Sequence, residues 1–546
     1  WQPNDRFSAY LQYEVIRDNS DSPAPNNLTP NDPRFVFALL GFVEDQGDPL
    51  KHVGLSNRHR ELLKMDKGHR QDVDGVYLSL DWDLGNATLS SFTGYRKHKS
   101  RLPSSYAGEV ITLFDATRDD NRKTFQQELR LTSNADSGNT WVVGAFYQTN
   151  DDIFTVDQVL GFLDFFGLAP AGFFDDTPQV LSNKQDATAW ALFADVNFDL
   201  TDRMHLGVGA RYTTERKNWA GRHQIPIQML SGTFDPNFTW EQLGQPLNAA
   251  DFKRFPFGVV RDYHSWDELT YRATLGFDLN DNVYDYATFS HGFRSGGYND
   301  QLGTSGIPID PKLAKPYNPE KADSLELGMK TTLADGKLRF NTALFYVKYD
   351  DAIQSVVQTL TNAAGATFQE TRFFNAAKMT VKGAEFEANW LVTPNFVVRG
   401  NLGYIDAKYD RFLVDTNGDG VPDNDLSGLD LVRTPKWQWY VDGTYTQSLN
   451  SGSLAFNTSV SYEDKNIHTY SDVSPEFNTV LDSKTLWDAN LTYNSADNNW
   501  WVRAYVKNIT DERYKISAQP VANLWIFGFY GPPRTYGLEA GFRFDM

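Results

Sequence analysis

Ala189-Trp-Ala-Leu-Phe-Ala-Asp-Val-Asn-Phe-Asp-Leu200 divides by parity. Trp190, Leu192, Ala194, Val196, Phe198 and Leu200 share one face, and Ala191, Phe193, Asp195, Asn197 and Asp199 share the other. Such alternation is the signature of a half-buried strand. The stretch ends in Leu200-Thr-Asp-Arg203, after which a second alternating segment begins. A soluble sandwich would show the same pattern with its apolar face inward, so one strand does not decide between a soluble and a membrane fold. Repetition decides it.

Alternating segments recur at 6–17, 72–84, 86–100, 121–134, 139–153, 185–200, 202–219, 266–280, 282–296, 320–334, 337–356, 370–392, 395–411, 435–448, 452–466, 483–496, 499–509 and 534–545. Most are longer than the five or six residues usual in a sandwich. Their connections alternate between short and long. Short ones read Asp83-Leu-Gly-Asn86, Leu279-Asn-Asp-Asn282, Ala334-Asp-Gly-Lys337, Val392-Thr-Pro-Asn395 and Leu449-Asn-Ser-Gly452. The long ones cover 18–71, 101–120, 154–184, 220–265, 297–319, 357–369, 412–434, 467–482 and 510–533. Short turns on one side and long loops on the other define a transmembrane antiparallel up-and-down β-barrel, all-β, with about 18 strands visible. The expectation is one domain over 1–546, with turns periplasmic and loops extracellular.

Composition agrees with this reading. Mean hydropathy is -0.49 and no run of eighteen apolar residues occurs, which argues against helical membrane spans. A barrel evades that test because only alternate residues face lipid. Aromatic residues make up 14% of the chain, with 26 Tyr, 14 Trp and 38 Phe, and suit interfacial girdles. Cysteine is absent, which excludes disulfides and thiolate metal sites. A formal charge of -19 argues against nucleic acid as a partner. Nothing at Trp1 reads as a signal peptide, so the expectation is a mature or cut chain.

The C-terminal half carries a set of motifs. They are Val283-Tyr-Asp-Tyr-Ala-Thr-Phe-Ser-His-Gly-Phe-Arg-Ser-Gly-Gly-Tyr-Asn299, Asn318-Pro-Glu-Lys-Ala-Asp-Ser-Leu-Glu-Leu-Gly-Met-Lys330 and Leu344-Phe-Tyr-Val-Lys-Tyr-Asp-Asp-Ala-Ile-Gln354. Asn375-Ala-Ala-Lys378, Lys382-Gly-Ala-Glu-Phe-Glu387, Val506-Lys-Asn-Ile-Thr-Asp-Glu-Arg-Tyr514 and Gly531-Pro-Pro-Arg-Thr-Tyr-Gly537 follow. With Gln126-Gln-Glu-Leu-Arg-Leu-Thr-Ser133, this set resembles the barrel of TonB-dependent outer-membrane receptors. The resemblance implies a 22-stranded barrel around an N-terminal plug. It also implies a segment that docks the TonB–ExbB–ExbD energising complex. Neither plug nor docking segment is visible, so the expectation is a receptor barrel whose plug and first two hairpins lie outside this sequence.

The motif residues also have a physical reading. Glu326, Lys330, Glu385 and Glu387 alternate with apolar neighbours and are expected in the lumen, since a basic residue at the lipid midplane costs about 2–4 kcal/mol. Gly292, Gly296 and Gly297 are expected to allow bends, and Asn508 and Asp511 to cap strand ends.

Three loops invite chemistry. Asp415, Asn417, Asp419, Asp423 and Asp425 are spaced as oxygen ligands around Gly420, as in a calcium loop, although Leu426 stands where a bidentate Glu would be. An ion-free turn is the alternative. Phe162, Phe165, Phe166, Phe173 and Phe174 crowd one loop, either packing on its neighbours or meeting substrate, lipid or protein. The basic island Lys51–Arg70 would attract an anionic substrate or the phosphates of lipopolysaccharide, or is simply solvated. Its three His lack a compact zinc spacing. No nucleophile motif or phosphate loop is present, so no enzyme is expected.

The resemblance implies active import of a scarce, bulky nutrient, most often a ferric siderophore. Arg294, Tyr298, Arg372, Phe165, Phe166, Phe173 and Phe174 are the candidate substrate contacts. No resident cofactor is required, and Ca²⁺ in one extracellular loop is the candidate addition. A passive porin and a surface-assembly or adhesion barrel are the alternatives. Porins lack the Asn375–Glu387 and Val506–Tyr514 blocks.

Overall fold

Pairing alternating strands edge to edge places all their apolar faces on one side of a common wall. The computed structural model describes residues 1–21, 25–44, 68–108, 112–134, 139–166, 172, 178–224, 259–300, 315–361, 367–417, 421–470 and 477–543. Its strands are β1 (Phe7–Asp18), β2 (Asn26–Asn27), β3 (Arg70–Asp83), β4 (Ala87–Ser105), β5 (Asp115–Ser133), β6 (Thr140–Val159), β7 (Gln179–Thr201) and β8 (Met204–Gln224). There follow β9 (Val259–Asn280), β10 (Val283–Arg294), β11 (Glu320–Leu333), β12 (Leu338–Thr361), β13 (Thr367–Thr393), β14 (Phe396–Val414), β15 (Asn424–Asp425) and β16 (Trp437–Leu449). The last are β17 (Gly452–Glu463), β18 (Asn466–Thr469), β19 (Thr479–Leu481), β20 (Lys484–Ser495), β21 (Trp500–Lys507), β22 (Lys515–Val521), β23 (Trp525–Tyr530) and β24 (Thr535–Phe542).

Eighteen of these are the strands expected from alternation. They pair antiparallel in sequence order from β1 through β3–β14, β16, β17, β20 and β21 to β24. The registered pairings give β1 one partner, β3, and β24 one partner, β21. Side chains on these two strands, among them Tyr13, Tyr536 and Leu538, are highly exposed.

Leu269, Leu275, Leu325, Leu327, Leu344 and Leu491 stand exposed on the outer face. Trp82, Trp390 and Trp500 ring it near the turn end, and Tyr95, Tyr147, Trp190, Tyr212, Tyr271 and Tyr346 near the loop end. Two aromatic girdles around an apolar band match a membrane-spanning barrel. The opposite face is polar. Glu326, Lys330, Glu385 and Glu387 all lie on it, and the Tyr286 hydroxyl donates to Glu326 at 2.6 Å.

Glycines on the inner face accept rings from the neighbouring strand. A Cβ on Gly328 would lie 2.2 Å from the Tyr286 ring, and one on Gly144 would lie 2.3 Å from Phe193. The rings cover backbone that would otherwise have no side-chain partner.

The short turns are closed by their own side chains. Asp83 accepts from the Gly85 amide at 2.7 Å, Asn280 from Asn282 at 2.9 Å and Asp497 from Asn499 at 3.1 Å. Ala334 and Asp335 both adopt φ +53, the left-handed geometry of a tight hairpin.

Candidate functional site

The loop end is an assembly of segments far apart in sequence. β2 pairs with β23, which pairs with β22, and β18 pairs with β19 beside them. Phe37 and Trp525 are almost fully buried and meet edge to face at 5.1 Å. Phe162 packs on Trp525 at 5.6 Å, and Tyr106 packs on Phe527 at 5.2 Å and on Phe114 at 5.0 Å. The Trp525 indole N–H donates to the Tyr106 carbonyl at 2.8 Å. Four loops therefore share one apolar core, since each would otherwise expose large rings to water.

Arg118 borders this core, and Arg34, paired with Asp32, lies beside a ring of a fifth loop. The Arg118 guanidinium lies 5.7 Å from the centre of the Tyr106 ring, and that of Arg34 lies 5.8 Å from Phe477. Burial pushes the Tyr106 phenol above its usual range. The 3-10 turn Gly161–Phe166 carries two of the expected contacts. Phe165 leans edge-on against Phe37 at 5.5 Å, and Phe166 against Phe162 at 6.5 Å. Both remain about half exposed, at 49% and 47%, beside exposed Leu39 and Leu40. Phe173 and Phe174 lie outside the described residues.

Arg294, Tyr298 and Arg372 come into one neighbourhood. Asn299 locks the segment after β10 onto β13, accepting from the Phe373 amide at 2.6 Å and donating to its carbonyl at 3.3 Å. Tyr317 packs its ring 6.2 Å from Phe373, and the Arg294 charge acts on its phenol. Arg294 is exposed. Arg372 donates to Gln358 at 3.4 Å, and Gln358 donates to the Asp415 carbonyl at 2.7 Å. Tyr298 is buried and stacks on Trp219 at 5.0 Å with the planes 5° apart. Burial and the adjacent Asp262 carboxylate hold its phenol well above the usual range.

Gly296 and Gly297 serve close approach. Neither has positive φ, and a Cβ on Gly296 would lie 2.4 Å from the Tyr317 carbonyl and 2.7 Å from Trp266. Gly292 has open space and no positive φ.

The motif asparagines are clamps. Asn375 accepts from the Asn318 amide at 2.6 Å and donates to the carbonyls of Asn318 and Asp351, each at 2.8 Å. Asn508 donates to the Glu512 and Pro532 carbonyls at 2.9 and 3.3 Å, and accepts from the Glu512 amide at 2.9 Å. Asp511 accepts from the Arg534 amide at 2.9 Å. Asn508 and Asp511 adopt φ +51 and +53, so they cap the β21 end as expected.

In the 415–425 turn, Asp423 accepts from the Thr416 amide and hydroxyl, both at 2.8 Å, and Asp425 from the Ser427 amide at 2.9 Å. These bonds hold both carboxyls below the usual range. Asp419 lies outside the described residues, and no three acidic or histidine side chains gather as a metal site among the described ones. Most of the basic island also lies outside them. His69 lies 3.7 Å from Asp18, and Arg70 pairs with Asp72 at 3.2 Å.

Sequence reasoning placed Glu387 in the lumen but missed the recess it helps to line. Near the turn end a recess of about 460 Å³ is lined by Arg339, Asn389, Arg399 and Asp442 on one rung, with Glu387 and Asn401 on the next. Alternation marked these positions as inward but gave no sign that four strands would align them.

A wall apolar outside and polar inside, turned tightly at one end and closed over by interlocked loops at the other, defines a transmembrane β-barrel. No helix among the described residues is long and apolar enough to cross a membrane. The chain belongs to the TonB dependent receptor-like, beta-barrel family, whose model matches residues 1–509. The family is one of outer-membrane transport receptors. A ferric-pyoverdine 358 receptor of Pseudomonas putida is 26% identical over 218 residues, 40% of this chain and 21% of that protein. The aligned stretch thus spans about a fifth of that relative's length. The ferric yersiniabactin uptake receptor of Yersinia pestis has the same fold, with a TM-score of 0.67 at 16% identity over 98% of this chain and 68% of that one. The siderophore receptor of Acinetobacter baumannii superposes with a TM-score of 0.64 at 17% identity, over 98% of this chain and 71% of that one.

Proposed function

We propose that this protein imports a ferric siderophore across the outer membrane, loop end outward, driven by TonB–ExbB–ExbD. The carrying observation is the loop-end assembly, where rings from four loops adjoin Arg118, Arg34 lies beside the Phe477 ring of a fifth, and Arg294 and Arg372 approach from the wall. The half-exposed Phe165 and Phe166 offer apolar area to a bulky chelate, and guanidiniums offer charge to an anionic one. The names of the related proteins, receptors for ferric pyoverdine and ferric yersiniabactin, support the same class of cargo. Iron is cargo in this reading, which assigns the protein neither a resident cofactor nor a reaction.

The test is uptake of ⁵⁵Fe-labelled siderophores by iron-limited cells that make this protein as their one candidate receptor. Saturable uptake that stops when the proton gradient or TonB is removed is the expected result. Linear uptake indifferent to both would favour a passive pore, and no uptake of any ferric chelate would overturn the cargo.

A further inference from the structure

We propose that the recess between Arg339 and Arg399 on the lumen wall binds the carboxylates of a ferric chelate as it leaves the barrel at the turn end. The site presupposes the import reading under Proposed function. It adds a second contact for cargo, at the far end of the wall from the ring-lined loops, and a chemical class for that cargo.

Register builds the recess. Arg339, Asn389, Arg399 and Asp442 are cross-strand partners on β12, β13, β14 and β16. Asn341, Glu387, Asn401 and Tyr440 form the next rung toward the loops, and Ala343, Glu385, Gly403 and Gln438 the one beyond. Ala343 and Gly403 put little side chain over the space of about 460 Å³ beneath them. Arg339 and Arg399 stand two strands apart, about 10 Å between backbones. Their guanidiniums flank Asn389 and can converge on one ligand.

These two guanidiniums differ from others on the inner wall, which are occupied. Arg96 lies 3.4 Å from Glu14, Arg122 donates to Asp152 at 2.7 Å, and Arg272 donates to Asp195 at 3.0 Å. Arg130 pairs with Glu128 and Arg503 with Glu539, while Arg211 sits over the Phe146 ring at 5.1 Å. Arg339 and Arg399 are exposed and have neither an ion pair nor a ring contact among the described residues. Asp442 is the direct cross-strand partner of Arg399, yet it is buried and accepts from Asn457 at 3.2 Å, which holds its carboxyl toward β17. Two unpaired guanidiniums in one recess, in a chain whose formal charge is -19, favour an anion there. Guanidiniums match carboxylates through paired hydrogen bonds. Glu387, exposed on the next rung, repels a bare anion but accepts from a donor. The ligand that fits therefore carries hydroxyl or amide groups beside its carboxylates, as a ferric hydroxycarboxylate does.

Because the chain has no cysteine, Ser461→Cys can carry a single trifluoromethyl tag. Ser461 pairs with Tyr440 across β16 and β17, beside the recess but outside its lining. In the purified full-length receptor, ferric citrate should broaden the fluorine NMR signal of this tag saturably, through the unpaired electrons of its iron. A tag at Gln126→Cys on β5 should stay sharp. Arg339→Gln with Arg399→Gln should weaken the response at least about tenfold, as expected for losing charge-assisted hydrogen bonds. Arg339→Lys with Arg399→Lys should keep part of it, and ferrioxamine B, a hydroxamate chelate without carboxylates, should give none. Heat-modifiable gel mobility confirms that each variant still folds. In iron-limited cells the paired Gln variant should lose most of its ⁵⁵Fe-citrate uptake while surface binding stays unchanged. An undiminished response in the Gln variant, or an equal response to ferrioxamine B, would overturn the carboxylate site. Unchanged uptake by a variant whose response is lost removes the site from the import route. Should cells import no ferric chelate while the tag still responds through both arginines, the import reading fails and the carboxylate site stands.

Discussion

The turn end and the loop end are made by the same strands under different rules. At the turn end, closure is local: Asp83 bonds to Gly85, Asn280 to Asn282 and Asp497 to Asn499, each two residues on. At the loop end, Trp525 bonds to Tyr106 across 419 residues, and Thr29 to Ile526 across 497. The first kind of order forms wherever a hairpin forms. The second requires the whole wall to be in place first, because long-range contacts follow the entropy cost of bringing the segments together. Such a division lets the loop cover open without disturbing the wall.

Removing the centre of the loop end should separate the two regions most clearly. Trp525→Ala deletes a buried ring, its contacts to Phe37 and Phe162 and its hydrogen bond. A loss of about 3–5 kcal/mol is expected, confined to the loop assembly. Hydrogen exchange should accelerate in 25–44, 105–108 and 515–530 while the amides of β7–β9 keep their protection. Equal acceleration in the wall would break the comparison. Asn508→Ala tests the joint between the regions. Asn508 is buried and its side chain makes three hydrogen bonds, so leaving those groups unpaired should cost about 1–3 kcal/mol. Faster exchange is then expected from 508 to 534, with β20 and β21 unaffected.

The same division governs what could be read from the sequence. All eighteen wall strands were legible, and apart from the end of β24 their turn ends fall within about two residues of expectation, because apolar alternation and Gly, Asn and Asp turns are local signals. While the loop ends of β10, β16, β17 and β21 stop two or three residues short, several others extend further, as where β7 begins at Gln179 against an expected 185 and β8 ends at Gln224 against 219. There both faces are covered. Leu181, Ser182, Asn183 and Lys184 are buried one after another, which erases the alternation that defines a strand. Arg294, Tyr298 and Arg372 were recognisable as polar and aromatic residues near strand ends, and the fold does gather them. Their partners Trp219, Phe373 and Tyr317 were not, because register between distant strands brings them together. Trp525-Ile-Phe-Gly-Phe-Tyr530 did carry a signal, a short apolar strand inside a supposed loop.

A turn substitution should have a smaller, wholly local effect. Gly336 adopts φ +84 between β11 and β12, with open space around it. Gly336→Val therefore meets no clash and pays only for left-handed backbone, about 1–2 kcal/mol. The urea midpoint of barrel unfolding should fall, with loop-end exchange unchanged. A change in loop-end exchange at constant midpoint would show the turn to be coupled to the far end.

The smallest effect expected is a pH response found only at the loop end. His468 is buried between β18, β19 and β22, with Nδ1 2.8 Å from the Ala518 carbonyl, which also accepts from the Thr479 hydroxyl at 2.6 Å. Burial, then the nearby Arg433 charge, lowers its pKa, while the carbonyl opposes the shift. The folded imidazole thus binds a proton less readily than the unfolded one. Its contribution is complete above the unfolded value, near pH ~6.5, and is lost as pH falls through the lower folded value. Hydrogen exchange at 466–469 and 515–521, followed from pH 7.5 to 4.5 and corrected for intrinsic rates, should show protection declining below about 6.5. In His468→Asn that decline should disappear, leaving only the response of the surrounding carboxylates. An equal decline in both proteins would assign the acid sensitivity to those carboxylates and leave His468 a packing residue.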